Sequence, residues 1–300
     1  MASGAQVESV QPREDKREKR TITQIRESKT SGEKMVYMSV PDYTSAKWAE
    51  MAGVDVAVVG DSLAMIAHGH SSTIPATMDM MVMHAQAVRR GAPNTFVLGC
   101  MPYQSYNTVD RALFNATRFM QEAGSDAVKP QGGKSQAHIL KALVDAGIPT
   151  ASHIGLTPHT IAMFGGFRIQ GRTAEAAMKI LEDALAIEDA GCFMLEFEAV
   201  PAKIAKLISE QLTIPTIGIG AGVGTDGQIL LCHDLLGVFT DFKPKFTKRF
   251  AKLTEVAVSG IKQYVKEVKE GTFPDDDHSY IVKEEEYETF AAMVAKRRQI

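Results

Sequence analysis

Eight side chains with chemical potential stand at the ends of apolar runs. Asp61 and Ser62 follow Val56–Gly60. Cys100 closes Thr95–Cys100, and Lys129 with Gln131 follows Asp126–Val128. His153 ends the run from Pro149, and Glu196 and Glu198 end the run from Cys192. A lysine among acids and a histidine around one cavity suits proton abstraction beside a carbonyl. The lysine holds a carboxylate or an enolate oxygen, and a carboxylate or imidazole moves the proton. The run Gly218-Ile219-Gly220-Ala221-Gly222 adds a candidate anion cradle.

Each of these residues also has a structural reading. Asp61 can cap the turn that follows it. Lys129, before Gly132-Gly133, can be a solvated loop lysine. His153 can be a hydrogen-bonded core histidine. Glu196 and Glu198 share strand parity and face one side, so one of them can simply pair with a nearby base. Cys100 can be a small buried residue. A lone glycine run is also a tight turn. The histidines His68, His70, His84, His138, His159 and His233 show no metal-ligand spacing.

Positioning these groups falls to a repeated rhythm. Strands are expected at Lys34–Val40, Val56–Asp61, Thr95–Cys100, Asp126–Lys129, Pro149–His153, Cys192–Glu198 and Thr216–Gly220. Several intervening helices end in Ala-Gly, as αβ junctions of βα units do. Val56–Val59 has no polar alternation, so it reads as a strand buried on both faces. An eighth unit is expected as a helix over Gly227–Leu236 and a short strand at Val238–Thr240. The pattern predicts an α/β fold, a (β/α)8 TIM barrel with polar residues at the C-terminal strand ends. A doubly wound open sheet is the alternative. Residues 1–20 read as a disordered polar tail, 21–273 as the barrel, and 274–300 as a charged helical extension.

Composition narrows the function classes. The chain of 300 residues is 45% hydrophobic and carries a net charge of −3, which points away from a nucleic-acid partner. No apolar run reaches transmembrane length, and no signal-peptide core opens the chain. Three cysteines without a CxxC pair argue against a disulfide framework and fit a cytoplasmic setting.

Several long motifs, in order from about Thr21 to His278, resemble the ketopantoate hydroxymethyltransferase family. They include Val59-Gly60-Asp61-Ser62-Leu63, Gly69-His70-Ser71-Ser72-Thr73-Ile74-Pro75 and Ala87-Val88-Arg89-Arg90-Gly91-Ala92-Pro93-Asn94. His153-Ile154-Gly155-Leu156-Thr157-Pro158, Phe164-Gly165-Gly166-Phe167-Arg168-Ile169-Gln170-Gly171-Arg172 and Ile217-Gly218-Ile219-Gly220-Ala221-Gly222 continue the match, with Thr225-Asp226-Gly227-Gln228-Ile229-Leu230 and Pro244-Lys245-Phe246. The resemblance implies a barrel of the phosphoenolpyruvate mutase/isocitrate lyase type. It implies transfer of a one-carbon unit from 5,10-methylenetetrahydrofolate to 3-methyl-2-oxobutanoate, giving 2-dehydropantoate for pantothenate synthesis. It also implies a homo-oligomer, often a decamer, and a magnesium ion on three carboxylates.

By position, the resemblance makes Asp61 the first metal-ligating aspartate, Ser62 a substrate contact, Lys129 the substrate-binding lysine and His153 the histidine of the HxGLTP motif. Glu198 becomes the proton acceptor. Two positions depart. Cys100 stands where the family has an aspartate, and Gln131 where it has a glutamate. Asp61 and the Gln131 oxygen still offer two oxygens to a hard ion, and Cys100 would suit zinc better than magnesium. Cys100 also counts as a substrate-side contact. Two rival readings follow from these departures: a diverged 2-oxo-acid aldolase or lyase with another substrate or metal, and a non-catalytic paralogue.

Overall fold

The computed structural model describes residues 18–166 and 168–297, and most of the expected N-terminal tail lies outside them. One compact unit ends at Phe250 and a second begins at Ala251. The first unit is built on one sheet of eight parallel strands in the order β4-β3-β2-β1-β8-β7-β6-β5. The strands are β1 (Met35–Ser39), β2 (Val56–Val59), β3 (Phe96–Cys100), β4 (Ala127–Lys129), β5 (Ser152–Gly155), β6 (Leu195–Glu198), β7 (Thr216–Ile219) and β8 (Gly227–Leu231). Parallel bridges Val128 to Thr150 and Gln131 to His153 join the two outermost strands and close the sheet into a barrel.

The sequence explains these elements. All four residues of β2 are buried, as its unbroken apolar run requires. Thr21 caps the helix Ile22–Ser31, with Gln24 reaching back to complete a capping box. Thr77, Thr108 and Thr173 accept hydrogen bonds from backbone N–H groups at three further helix starts. Asp42 does the same for Tyr43–Ala52, so the acid after β1 is a cap.

The eighth unit differs from expectation. Gly227–Leu231, read as helical, is β8, and Val238–Thr240 is not a strand. Met35–Ser39 pairs with Gly227–Leu231 along its whole length, and Ile217 and Gly218 pair from the other side. Helix-forming side chains such as Gln228 and Leu230 are outweighed by two vacant strand edges, an override of local propensity by tertiary context. The helix here shrinks to Cys232–Leu235.

The second unit contains the helices Leu253–Glu270 and Glu284–Arg297 with a 3-10 turn at Asp276–His278 between them. Neither helix has a buried residue.

Candidate active site

All eight side chains expected at the strand ends line one cavity of ≈ 280 Å³. Strand register explains the convergence. Cys100 and Lys129 are partners across β3 and β4. Gln131 bridges to His153 at the barrel closure, and His153 is the partner of Glu196 across β5 and β6. Glu196 and Glu198 point inward together because side chains on a strand alternate with period two. One wall is apolar, with Ile169, Phe239, Phe242 and Phe246.

On one side of the cavity sits a buried charge cluster. The Lys129 ammonium donates to Glu196 Oε2 in a close ion pair, with side chains only 4% and 5% exposed. Burial alone would lower the Lys129 pKa, but the neighbouring anionic groups hold it above its ordinary value. Burial alone would raise Glu196, but Lys129 and His153 hold its carboxyl below the usual range. His153 Nδ1 lies 3.9 Å from Glu196 Oε1 and its Nε2 3.1 Å from Glu198 Oε2. The second approach is off the line of a hydrogen bond, so buried Nε2 has no bonded partner among the described residues. The backbone helps to aim Glu198. The next residue, Ala199, adopts φ 51, a left-handed conformation that non-glycine residues seldom take.

The other side holds a hydrogen-bonded chain. His159 Nε2 donates to Asp61 Oδ2 at 2.7 Å, because an ionised carboxylate only accepts. His159 Nδ1 and the Tyr106 hydroxyl are 2.8 Å apart, and the Gln131 backbone N–H donates to the same hydroxyl at 3.1 Å. Gln131 links the chain twice more: Oε1 accepts from the His159 N–H at 3.3 Å, and Nε2 approaches Asp61 Oδ2 at 3.4 Å. Burial would raise Asp61, but the His159 hydrogen bond and nearby positive groups keep its pKa lowered.

His159 and Tyr106 escape a reading of strand ends because neither ends a strand: Tyr106 lies in a turn and His159 in the 3-10 turn Pro158–Thr160. One signal was present: His159 follows Thr157-Pro158, directly beyond the strand that carries His153. His68 and His84 meet each other instead, Nε2 to Nε2 at 2.9 Å. The glycine run after β7 serves packing. A side chain on Gly220 would meet Phe246 at 2.7 Å, and one on Gly222 would meet Ala202 at 2.3 Å.

The donors at the positions of the three family carboxylates do not fit a magnesium ion. Asp61 Oδ2 and Gln131 Oε1 already accept hydrogen bonds from His159. Burial pushes the Cys100 thiol up to about 12, which keeps it protonated at neutral pH. Magnesium demands several oxygens in near-octahedral array. A separate group, His153, Glu196 and Glu198, brings three ligand atoms within 4.8 Å of one another. Lys129 already supplies a positive charge to its central carboxylate.

Comparison with known proteins agrees with this architecture. The family described as Ketopantoate hydroxymethyltransferase matches residues 19–276. A relative in Methylibium petroleiphilum, named 3-methyl-2-oxobutanoate hydroxymethyltransferase 1, is 84% identical over 284 residues, covering 95% of this chain and 97% of that relative. Among solved structures, 2,3-dimethylmalate lyase, described as a PEP mutase/isocitrate lyase superfamily member, aligns with TM-score 0.57 at 15% identity over 86% of this chain and 91% of that one. Phosphonopyruvate hydrolase, solved with oxalate and Mg++, aligns with TM-score 0.57 at 12% identity over 92% and 98%. These two show the shared barrel fold.

Proposed function

The chain belongs to the ketopantoate hydroxymethyltransferase family, and from that premise we propose that it moves a hydroxymethyl group from 5,10-methylenetetrahydrofolate to 3-methyl-2-oxobutanoate through an enolate. The observation that carries the reading is the convergence of Lys129, His153 and Glu198 on one cavity. The substrate's carboxylate and keto oxygen face Lys129 and Ser62. Glu198 takes the C3 proton, and the C–H electron pair becomes the C2–C3 double bond while negative charge gathers on the keto oxygen. Lys129, kept protonated by Glu196, stabilises that charge. His153, beside Glu198, orients the acceptor. One C–N bond of the folate's methylene bridge opens to an iminium, and water adds to that carbon and breaks the second C–N bond, releasing tetrahydrofolate and formaldehyde. The enolate carbon then bonds to the formaldehyde carbon, whose oxygen takes the proton held on Glu198. Phe239, Phe242 and Phe246 offer rings against which a flat pterin packs.

Incubation with both substrates, followed by mass spectrometry for 2-dehydropantoate, tests the reading. Absence of product with every divalent metal tried and with none would sink it. Cys100 and Gln131 favour a second reading, an oxo-acid aldolase or lyase with another acceptor. Exchange of the C3 proton into D₂O with no transfer would select that alternative.

We also propose that the protein is cytoplasmic and homo-oligomeric. No helix among the described residues is long and apolar enough to cross a membrane. The helices from Leu253 onward expose Ile261, Tyr264, Phe290 and Met293, which suits contact between subunits.

A further inference from the structure

We infer that this chain holds its oxo acid without the divalent ion of its family, a Tyr106–His159–Asp61 hydrogen-bond chain filling the side of the cavity where that ion would sit. The inference rests on the proposed function and concerns how the same site manages charge.

Three observations carry it. First, each position corresponding to a family carboxylate is changed or engaged. Cys100 and Gln131 are not carboxylates, and Asp61 Oδ2 takes a 2.7 Å hydrogen bond from His159. Second, the engagement is a closed circuit. The Gln131 backbone N–H donates to Tyr106, whose hydroxyl donates to His159 Nδ1, and His159 Nε2 donates to Asp61. This order gives each donor one acceptor and fixes the imidazole tautomer. The Gln131 side chain then spans the circuit, accepting from the His159 N–H and approaching Asp61. A dication on Asp61 Oδ2 and Gln131 Oε1 would compete for oxygens that already accept these bonds, in a site where both groups are buried.

Third, the cavity has its own fixed cation. Lys129 is buried against Glu196, one strand beyond His153. Glu196 is thereby committed to an ammonium and does not replace the two carboxylates missing at Cys100 and Gln131. A second cation between Glu196 and Glu198 would stand beside Lys129 and be repelled by it. His159 is thus a positioning residue: it orients Asp61, which lines the cavity, and does not line that cavity itself.

The test combines Mn²⁺ binding, read by electron paramagnetic resonance, with C3 proton exchange of 3-methyl-2-oxobutanoate in D₂O, read by NMR. Wild type is expected to hold no Mn²⁺ at up to about 1 mM and to exchange at the same rate within about twofold with or without chelator. His159→Ala frees the Asp61 oxygen and is expected to lose at least about tenfold in exchange, whereas His159→Gln, which keeps a donor, recovers part of it. The Cys100→Asp, Gln131→Glu double variant is expected to gain Mn²⁺ binding and become chelator-sensitive. One tightly held Mn²⁺ per wild-type chain, or a tenfold loss of wild-type exchange with chelator that metal restores, would overturn the inference. If wild type neither exchanges nor transfers under any condition, the proposed function falls, and the Mn²⁺ titration alone still decides whether the site excludes the ion.

Discussion

Lys129 and Glu196 are in direct contact across the barrel interior, with the strand of His153 running between theirs. Breaking a buried pair by neutralising one partner leaves the other charge uncompensated and costs about 3–5 kcal/mol. Glu196→Gln is therefore expected to lower stability by that order in urea denaturation. Glu196→Leu combined with Lys129→Met removes both charges and is expected to recover most of the loss, with exchange activity still abolished because no ammonium faces the substrate. A Glu196→Gln variant as stable as wild type would show that the pair is incidental.

The lowered carboxyl pKa values of Asp61 and Glu196 set a pH dependence. For both groups burial opposes ionisation but the nearby positive and donor groups win. A carboxyl depressed in the folded state contributes stability that is complete above its unfolded value of about 4 and fades as the pH drops through the folded value. Melting temperature is expected to be level from about pH 5 to 7 with respect to these groups and to fall below about pH 4. The gap between wild type and Glu196→Gln should narrow over the same acid range. A gap that stays constant down to pH 3 would show that Glu196 is not depressed.

Much of this arrangement is legible in the sequence, for identifiable reasons. A strand buried on both faces must be continuously apolar, so Val56–Val59 announces itself and places Asp61 just beyond its end. Period-two alternation puts Glu196 and Glu198 on one side without any knowledge of partners, and the ion pair with Lys129 is the pairing role that one of them was expected to take. Gly227–Leu231 is a strand only because its neighbours on both sides leave it edges to fill, which local pattern cannot express. Tyr106 and His159 meet across 53 residues, one from a turn and the other from a 3-10 turn in the connection after β5. No periodicity governs loop side chains, so that half of the site appears only in three dimensions.

The cysteines give a chemical test of burial. The Cys100 thiol is pushed up to about 12 by burial, Cys192 also to about 12, and Cys232 to about 11. At pH 8 a thiol of pKa 12 is ionised in about one molecule in 10⁴, and only the thiolate attacks an alkylating agent. Native protein treated with iodoacetamide for an hour is expected to take up almost no label by intact mass, while denatured protein takes up three equivalents, one for each cysteine. Rapid native labelling at Cys100 would mean that the cavity wall opens to solvent or that the thiol is activated by Lys129.

Gly155 connects backbone geometry to the proposed acceptor. It has φ 91, and a Cβ there would lie 2.3 Å from the Glu198 carbonyl oxygen and 2.7 Å from Val200 Cγ2. It is also the register partner of Glu198 across β5 and β6, and the next N–H, of Leu156, donates to that same carbonyl at 2.8 Å. Gly155→Ala must therefore push the Glu198 backbone away or twist β5. Gly147 makes a matched control: its φ is 78, but a Cβ there meets nothing within 4 Å. Gly147→Ala is expected to cost about 1 kcal/mol of stability, the left-handed conformational penalty alone, with exchange activity within about twofold of wild type. Gly155→Ala pays the same penalty plus the clash, and a displacement of about 1 Å at a reacting group can cost on the order of 10² in rate. Thermal denaturation and C3 exchange measured on both variants separate the two effects. Equal activity in the two would show that the close approach at Gly155 does not position Glu198.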